Sequence, residues 1–353
     1  MEMRRLGRSG LKVSALGFGA MTFGGKPDDP FGRIGTTDGA EAESMVGRCL
    51  DAGINLFDTA NTYSDGRSEE ILGRALGSRR HEAVIATKGF NRIGPGPNDV
   101  GASRGYIVRA CEASLRRLGC DYIDLYQMHC FDGLTSQEET VRALDDLVRA
   151  GKVRYLGVSN YAGWHLMKGL AVADRLGGTR YVSQQIKYSL LTRDAENELV
   201  PLGLEEGVGI LVWGALESGI LSGKYRSGSP EPGETRLPGG PQLSDTERER
   251  CDAVLDTLTE IASARGLSLG SAAIAWLLRK PGVSSVLVGA RTPEQLDQNL
   301  AAAQSPLDDE EVQRLDKVSE TPWIYPYQIY KTYAGERNPY YMRGEVYRHW
   351  RER

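Results

Sequence analysis

The sequence predicts a single-domain α/β fold, a (β/α)8 TIM barrel followed by an aromatic-rich C-terminal tail. Three observations lead there. Eight short runs rich in apolar and β-branched residues recur along the chain, at 15–20, 54–58, 83–88, 122–129, 154–158, 181–187, 209–213 and 284–288. They read as continuous apolar runs, as strands covered on both faces do. Helical stripes lie between them, and eight strand–helix units favour a closed barrel over an open sheet. No Gly-x-Gly-x-x-Gly follows an early strand and opens a helix, which argues against a doubly wound dinucleotide-binding domain. At 353 residues the chain suits one barrel, since such barrels reach ~250 residues or more as single domains. The expected division is 1–320 for the barrel and 321–353 for an extension that packs on the barrel or on a neighbouring subunit.

In chain order, the first run is followed by a stripe of Met45, Val46, Cys49 and Leu50. After the third run, Ile107, Val108, Cys111, Leu115 and Leu118 make a stripe on a helix that Ser103 is placed to cap. Val141, Leu144, Leu147 and Val148 make another, with Gly151 just past its last turn as a stop signal. Leu255, Leu258, Ile261 and Ala262 belong to a late helix. Residues 226–243 are rich in Gly, Pro and Ser and have no periodicity. They follow the seventh run and so fall on the barrel's C-terminal face, where long loops serve binding. From Thr321 the chain is dense in Tyr, Pro and Arg; its prolines oppose a helix at the start, and Trp323, Tyr325, Tyr327, Tyr330 and Tyr333 suit docking on another surface.

Composition removes several classes of function. A net charge of −4 gives no electrostatic footprint for nucleic acid or an anionic membrane. The five cysteines are scattered, odd in number and without a Cys-x-x-Cys pair, which speaks for a reducing compartment and against a disulfide framework or a zinc site. The longest apolar stretch, 207–216, is about half of what a membrane helix needs. The run near the N-terminus is broken by glycines and reads as structure instead of a signal peptide, so the expected location is the cytoplasm.

Catalytic residues of such a barrel come from the C-terminal ends of several strands. Here those ends carry Asp58, with Tyr63 in the following loop, then Lys88, then His129. Any one of them alone reads equally as a rim residue; four at one mouth form a coherent set. Reducing a carbonyl needs a hydride donor and a proton for the developing alkoxide. A tyrosine hydroxyl is a sluggish acid at its ordinary pKa of about 10, and a neighbouring ammonium such as Lys88 lowers that value. Asp58 can hold the lysine, and His129 can hydrogen-bond the carbonyl oxygen. The other histidines, His81, His165 and His349, stand in loop, helix and tail contexts and read as surface residues.

With these residues and the segments around them, the chain resembles the aldo-keto reductases. Asp58, Tyr63, Lys88 and His129 match that family's catalytic tetrad. The surrounding segments match as well: GINLFDTANTY at 53–63, SLRRLGCDYIDLYQMH at 114–129, GKVRYLGVSN at 151–160 and GILSGKY at 219–225. GPGPNDVGAS at 94–103 looks like the bacterial branch related to the potassium-channel β subunits. The likeness runs from about residue 5 to about residue 315. It implies NADP(H) as cofactor, with Ser159, Asn160 and Gln185 on the nicotinamide carboxamide and Trp213 stacked on the ring. It further implies Gly289, Arg291, Gln295 and Asn299 at the adenosine end, with Arg291 on the 2′-phosphate. Ala20, Met21, Asp58, Gly214, Leu216, Gly219 and Lys224 complete the implied cofactor set, and residues 226–243 resemble the loop that closes over the pyrophosphate. Ala215, Lys187, and Cys130 with Phe131 depart from the family's usual proline, glutamate and Arg-Trp; the last pair lies on the substrate side.

The implied activity is reduction of an aldehyde or ketone, sugar-like if the tail aromatics cover the mouth, by hydride from NADPH with Tyr63 as proton donor. The expected partners are a small-molecule carbonyl substrate and no nucleic acid or membrane, with self-association left open. Two alternatives stay open. A Schiff-base aldolase could use Lys88, but has no use for Arg291, Gln295 and Asn299. A nicotinamide-nucleotide-sensing regulatory subunit with slow turnover would keep the cofactor residues.

Overall fold

The computed structural model describes residues 1–24, 36–226, 237 and 240–333. Eight parallel strands close a barrel: β3 (Leu16–Gly19), β4 (Leu56–Asp58), β5 (Val84–Gly89), β6 (Ile123–Met128), β7 (Val153–Ser159), β8 (Tyr181–Lys187), β9 (Gly209–Trp213) and β10 (Val283–Val288). Closure comes where β10 pairs with β3, Val286 opposite Leu16 and Val288 opposite Phe18. Each of the eight predicted runs became a strand, with ends shifted by no more than two residues. An antiparallel hairpin of β1 (Met3–Arg5) and β2 (Lys12–Ser14) precedes them. Its three-residue strands are too short to leave a period in the sequence.

Helices α1 (Gly39–Asp51), α2 (Arg67–Leu76), α3 (Arg104–Leu118), α4 (Gln137–Arg149), α5 (Gly163–Leu176) and α6 (Leu199–Glu206) connect successive strands up to β9. The pair α7 (Asp245–Arg265) and α8 (Leu269–Leu278) leads to β10, and α9 (Pro293–Gln304) and α10 (Asp309–Val318) follow it. Ser103 caps α3 as its position predicted, accepting from the Tyr106 amide at 3.4 Å. Gly151 takes φ +71 just past α4, a backbone that disfavours other residues. The sequence LGSAAIAWLL of α8 shows no stripe because buried residues occupy all its faces. Of residues 226–243, positions 227–236, 238 and 239 lie outside the described residues, as does the tail beyond 333. The tail's α11 (Tyr327–Tyr333) starts directly after Pro326, and Ile324 and Tyr327 border a cleft beside Asn160, Tyr161 and Glu198 at the C-terminal face.

Strand parity divides the interior into two layers. Alternate side chains point inward, and toward the N-terminal end these are Leu56, Val84, Ala86, Leu125 and Leu211, plugged from below by Leu6 and Val13 of the hairpin region. Two residues further along the same face come Asp58, Lys88, Gln127 and Trp213. The outward residues, among them Phe57, Ile85, Tyr126, Val158, Ile186 and Val212, pack beneath the helices. Close packing of the interior explains Gly157, where a Cβ would sit 2.4 Å from Ser183 Oγ.

A buried ionic cluster anchors the loop after β8. Arg193 forks onto Glu196 at 2.8 Å through both Nε and one terminal nitrogen, and Tyr188 donates its hydroxyl to the same carboxylate at 2.6 Å. Arg193 also donates to Ser319 Oγ at 2.9 Å and the Asp316 carbonyl at 2.8 Å, tying the loop to α10. Removing one member of a buried ion pair strands the other charge, which costs about 3–5 kcal/mol. Glu196→Ala is therefore expected to lower the free energy of unfolding by about that amount, read as a shift of the urea midpoint. A change within ~0.5 kcal/mol would show that the cluster is not a stabilising clamp.

Candidate active site

Asp58 is the last residue of β4, Lys88 lies near the end of β5, and His129 follows the last residue of β6. Parity places Asp58 and Lys88 inside the barrel at its C-terminal end, where Lys88 is fully buried and Asp58 nearly so. The Lys88 ammonium has three donors, and three acceptors stand around it: Asp58 Oδ1 at 2.5 Å, the Thr59 carbonyl at 2.9 Å and the Tyr63 hydroxyl at 3.5 Å. The second oxygen of Asp58 accepts from Gln127 Nε2 at 3.1 Å and Gln185 Nε2 at 2.8 Å. Burial alone pulls an ammonium's pKa down. Here the Asp58 carboxylate and the Tyr63 hydroxyl outweigh it and hold Lys88 above its ordinary value, so it is charged at neutral pH.

Tyr63 opens a short turn, Tyr63–Gly66, in which Ser64, Asp65 and Gly66 all have positive φ. Two consecutive non-glycine residues in this region store local strain. The turn is held by Ser64, whose buried hydroxyl donates to the Phe23 carbonyl at 3.2 Å. The Tyr63 ring meets the His129 ring edge-on, centroids 5.9 Å apart. His129 is anchored by its amide on the Gly89 carbonyl and by its carbonyl, which accepts from Asn160 Nδ2 at 3.0 Å. Burial, with a smaller push from the Lys88 charge, lowers the His129 pKa to about 3, so the imidazole is neutral.

The four predicted residues thus meet at one mouth. Asn160 joins the ends of four strands there, in a left-handed conformation with φ +56 that asparagine tolerates. Its amide bonds the Gln185 carbonyl, its Nδ2 also reaches Ser159 Oγ, and its Oδ1 accepts from Trp213 Nε1 at 3.2 Å. Trp213 is 37% exposed, so it is a wall of the mouth and not a core residue. Gln185 spends its Nε2 on Asp58, and its carbonyl end carries the acceptor function.

A groove of about 340 Å³ runs from the loop after β9 to the start of α9. Gly214, Leu216, Gly219, Lys224, Gly289, Arg291, Gln295 and Asn299 all border it, which gathers eight of the residues the resemblance implied. Ala20 and Met21 do not border it; Thr22, one residue on, does. The chain turns through three left-handed residues at Glu217, Ser218 and Gly219, and a Cβ at Gly219 would fall 2.5 Å from Lys224 Cε. The φ of +97 at Gly219 favours glycine there. Two cationic side chains and the hydroxyls of Ser218 and Ser222 along one groove fit a ligand rich in phosphate. Gln295 is braced by its Oε1, which accepts from the Arg291 amide at 2.9 Å, and Asn299 by its bond to the Gly289 carbonyl at 3.2 Å.

Sequence reasoning missed Gln127 and Asn91 as well as Thr22. Gln127 was within reach, two positions before His129 on the same strand face. Asn91, in the loop after β5, leaves no sequence signal of its own; its Nδ2 lies 3.2 Å from His129 Nδ1. The departures from the family pattern find local partners. Lys187 pairs with Glu217 at 2.8 Å. Phe131 stacks on His165 at 3.6 Å and meets Tyr161 and Trp164 edge-on, making an aromatic wall beside the mouth.

The chain is similar in sequence to several known proteins. The model of the aldo/keto reductase family matches residues 15–320. A probable voltage-gated potassium channel subunit beta of Arabidopsis thaliana is 40% identical over 310 residues, covering 86% of this chain and 91% of that protein. The uncharacterized oxidoreductase YrpG of Bacillus subtilis is 37% identical over 341 residues, covering 92% and 99%. The versiconal hemiacetal acetate reductase of Aspergillus parasiticus is 34% identical over 346 residues, covering 92% and 99%.

The His129 shift has a pH consequence. Its pKa is near 3 when folded, against about 6.5 in an unfolded chain. Between those values the unfolded state binds the extra proton, so stability falls as pH drops from about 6.5 toward 3, by at most ~1.4 kcal/mol per pH unit from this group. Histidine NMR titration is expected to show His129 still neutral at pH values where a free histidine is charged, and His129→Asn to flatten the acid loss of stability. A His129 midpoint near 6.5 would refute the burial argument.

Proposed function

The chain belongs to the aldo/keto reductase family, and from that membership we propose that it is an NADP(H)-dependent oxidoreductase reducing an aldehyde or ketone to the alcohol. The observation that carries the reading is a buried Lys88–Asp58 pair under Tyr63 and His129 at the barrel mouth, together with a groove bordered by Gly214, Lys224 and Arg291 at the same C-terminal face. A bound nicotinamide supplies the hydride. Tyr63 gives its hydroxyl proton to the oxygen of the substrate as charge develops there, and the Lys88 ammonium beside it favours the phenolate left behind. Asp58 keeps Lys88 charged and fixed, and neutral His129 offers the carbonyl oxygen a hydrogen bond. Ser159, Asn160 and Gln185 supply hydroxyl and amide groups suited to a carboxamide, with Trp213 as the stacking surface.

Lys224 and Ser218 suit the pyrophosphate, and Arg291 suits a 2′-phosphate dianion, which favours NADP(H) over NAD(H). The aromatic wall of Phe131 and Trp164, with Tyr327 of the tail bordering the cleft beside Asn160 and Tyr161, supports a ring-shaped, sugar-like carbonyl substrate. The scattered thiols support a cytoplasmic setting. A second reading, a nicotinamide-nucleotide-sensing subunit with slow turnover, draws on the potassium-channel subunits among the relatives.

Tyr63→Phe is expected to lower kcat for carbonyl reduction by about 10²–10⁴-fold while NADPH still binds. Unchanged turnover would remove Tyr63 as the proton donor, and tight binding by wild-type protein without turnover on any carbonyl would favour the sensing reading. Arg291→Ala is expected to weaken NADPH binding by roughly 10- to 100-fold, the loss of a charge-assisted contact, and to leave NADH binding nearly unchanged. Equal losses for both nucleotides, read by nicotinamide fluorescence, would contradict the 2′-phosphate assignment.

A further inference from the structure

We propose that Asn91 is a positioning residue that fixes the tautomer of His129, leaving Nε2 as the only ring nitrogen that carries a proton. The amide nitrogen Nδ2 of Asn91 lies 3.2 Å from His129 Nδ1. A primary amide nitrogen only donates, so Nδ1 is the acceptor. A neutral imidazole has a single N–H, and that proton then sits on Nε2. The ring is neutral because burial, and then the Lys88 ammonium on β5, disfavour the charged form. Tyr63 on the turn after β4 also meets the ring, edge-on.

Asn91 is itself held in place. Tyr106 of α3, 1% exposed, donates its hydroxyl to the Asn91 carbonyl at 2.5 Å. The same hydroxyl accepts from Asn61 Nδ2 at 3.1 Å and from the Phe90 amide at 3.3 Å. One buried phenol therefore ties the loop after β5, which carries Asn91, to the loop after β4, which carries Tyr63. This knot holds the histidine's partner and the tyrosine in register. With the proton on Nε2, His129 presents a donor to a carbonyl oxygen; with the proton on Nδ1 it would present a lone pair.

The consequence for rate rests on the reductase reading, but the tautomer is a property of the resting protein and is measured without turnover. The full chain is labelled with ¹⁵N-histidine and long-range ¹H–¹⁵N spectra are recorded at neutral pH, the His129 signals being identified by their loss in His129→Gln. The expected result is an unprotonated Nδ1 and a protonated Nε2. Asn91→Asp, whose carboxylate can only accept, is expected to move the proton to Nδ1, raise the His129 pKa, and lower kcat roughly 10²–10³-fold with little change in KM. Asn91→Ala is expected to give a mixture of tautomers. A native His129 protonated on Nδ1, or on both nitrogens, overturns the proposal, as does a tautomer unmoved in Asn91→Asp. Should Asn91→Asp fail to fold, the native spectrum and Asn91→Ala decide. The expected spectra with no carbonyl turned over by the wild-type protein would leave the tautomer assignment standing and remove the reductase reading.

Discussion

An ammonium group buried inside the barrel, with a single carboxylate to balance it, is the constraint on which the rest of this structure depends. Lys88 has no exposed surface. A charge so placed costs several kcal/mol unless it is paired and its donors are satisfied. Asp58 supplies the pairing and Thr59 a second acceptor, and Asp58 needs Gln127 and Gln185 to satisfy its other oxygen. Four strands are thereby committed to one small polar layer at the mouth.

The rest of the barrel makes that layer tenable. Its lower interior is packed mostly with apolar side chains, Leu56, Val84, Ala86, Leu125 and Leu211 among them. The upper rim is braced by Asn160, and the loop after β8 by the Arg193–Glu196 cluster. The groove toward Arg291 is bordered by Gly214, the residue that follows Trp213 at the end of β9. Lys187, unusual for the family, finds Glu217 at the left-handed turn that shapes this groove. The ion pair keeps the lysine's charge beside the turn without leaving it unbalanced.

Much of this was legible in the sequence because strands covered on both faces are apolar throughout and stand out between amphipathic helices. Asp58, Lys88 and His129 were legible because an ionisable residue ending an apolar run needs a reason. What stayed hidden has physical causes. The β1–β2 hairpin is too short to show a period, and α8 is buried on every side, so it has none. Gln127 and Asn91 carry no charge, and their importance lies in which atom they face. Thr22 borders the groove beside Gly289 and Arg291, and an uncharged threonine in a short helical turn gives no sign of that in the sequence.

The most direct test of the central claim is hydride transfer from NADPH to a carbonyl in Lys88→Met, followed in a single turnover with NADPH binding measured separately. If the buried ammonium organises the proton donor, the variant binds NADPH and transfers hydride at least about 10²-fold more slowly, the scale of one lost charge-stabilising group. A Lys88→Met protein that binds NADPH and reduces carbonyls at the wild-type rate would contradict the account.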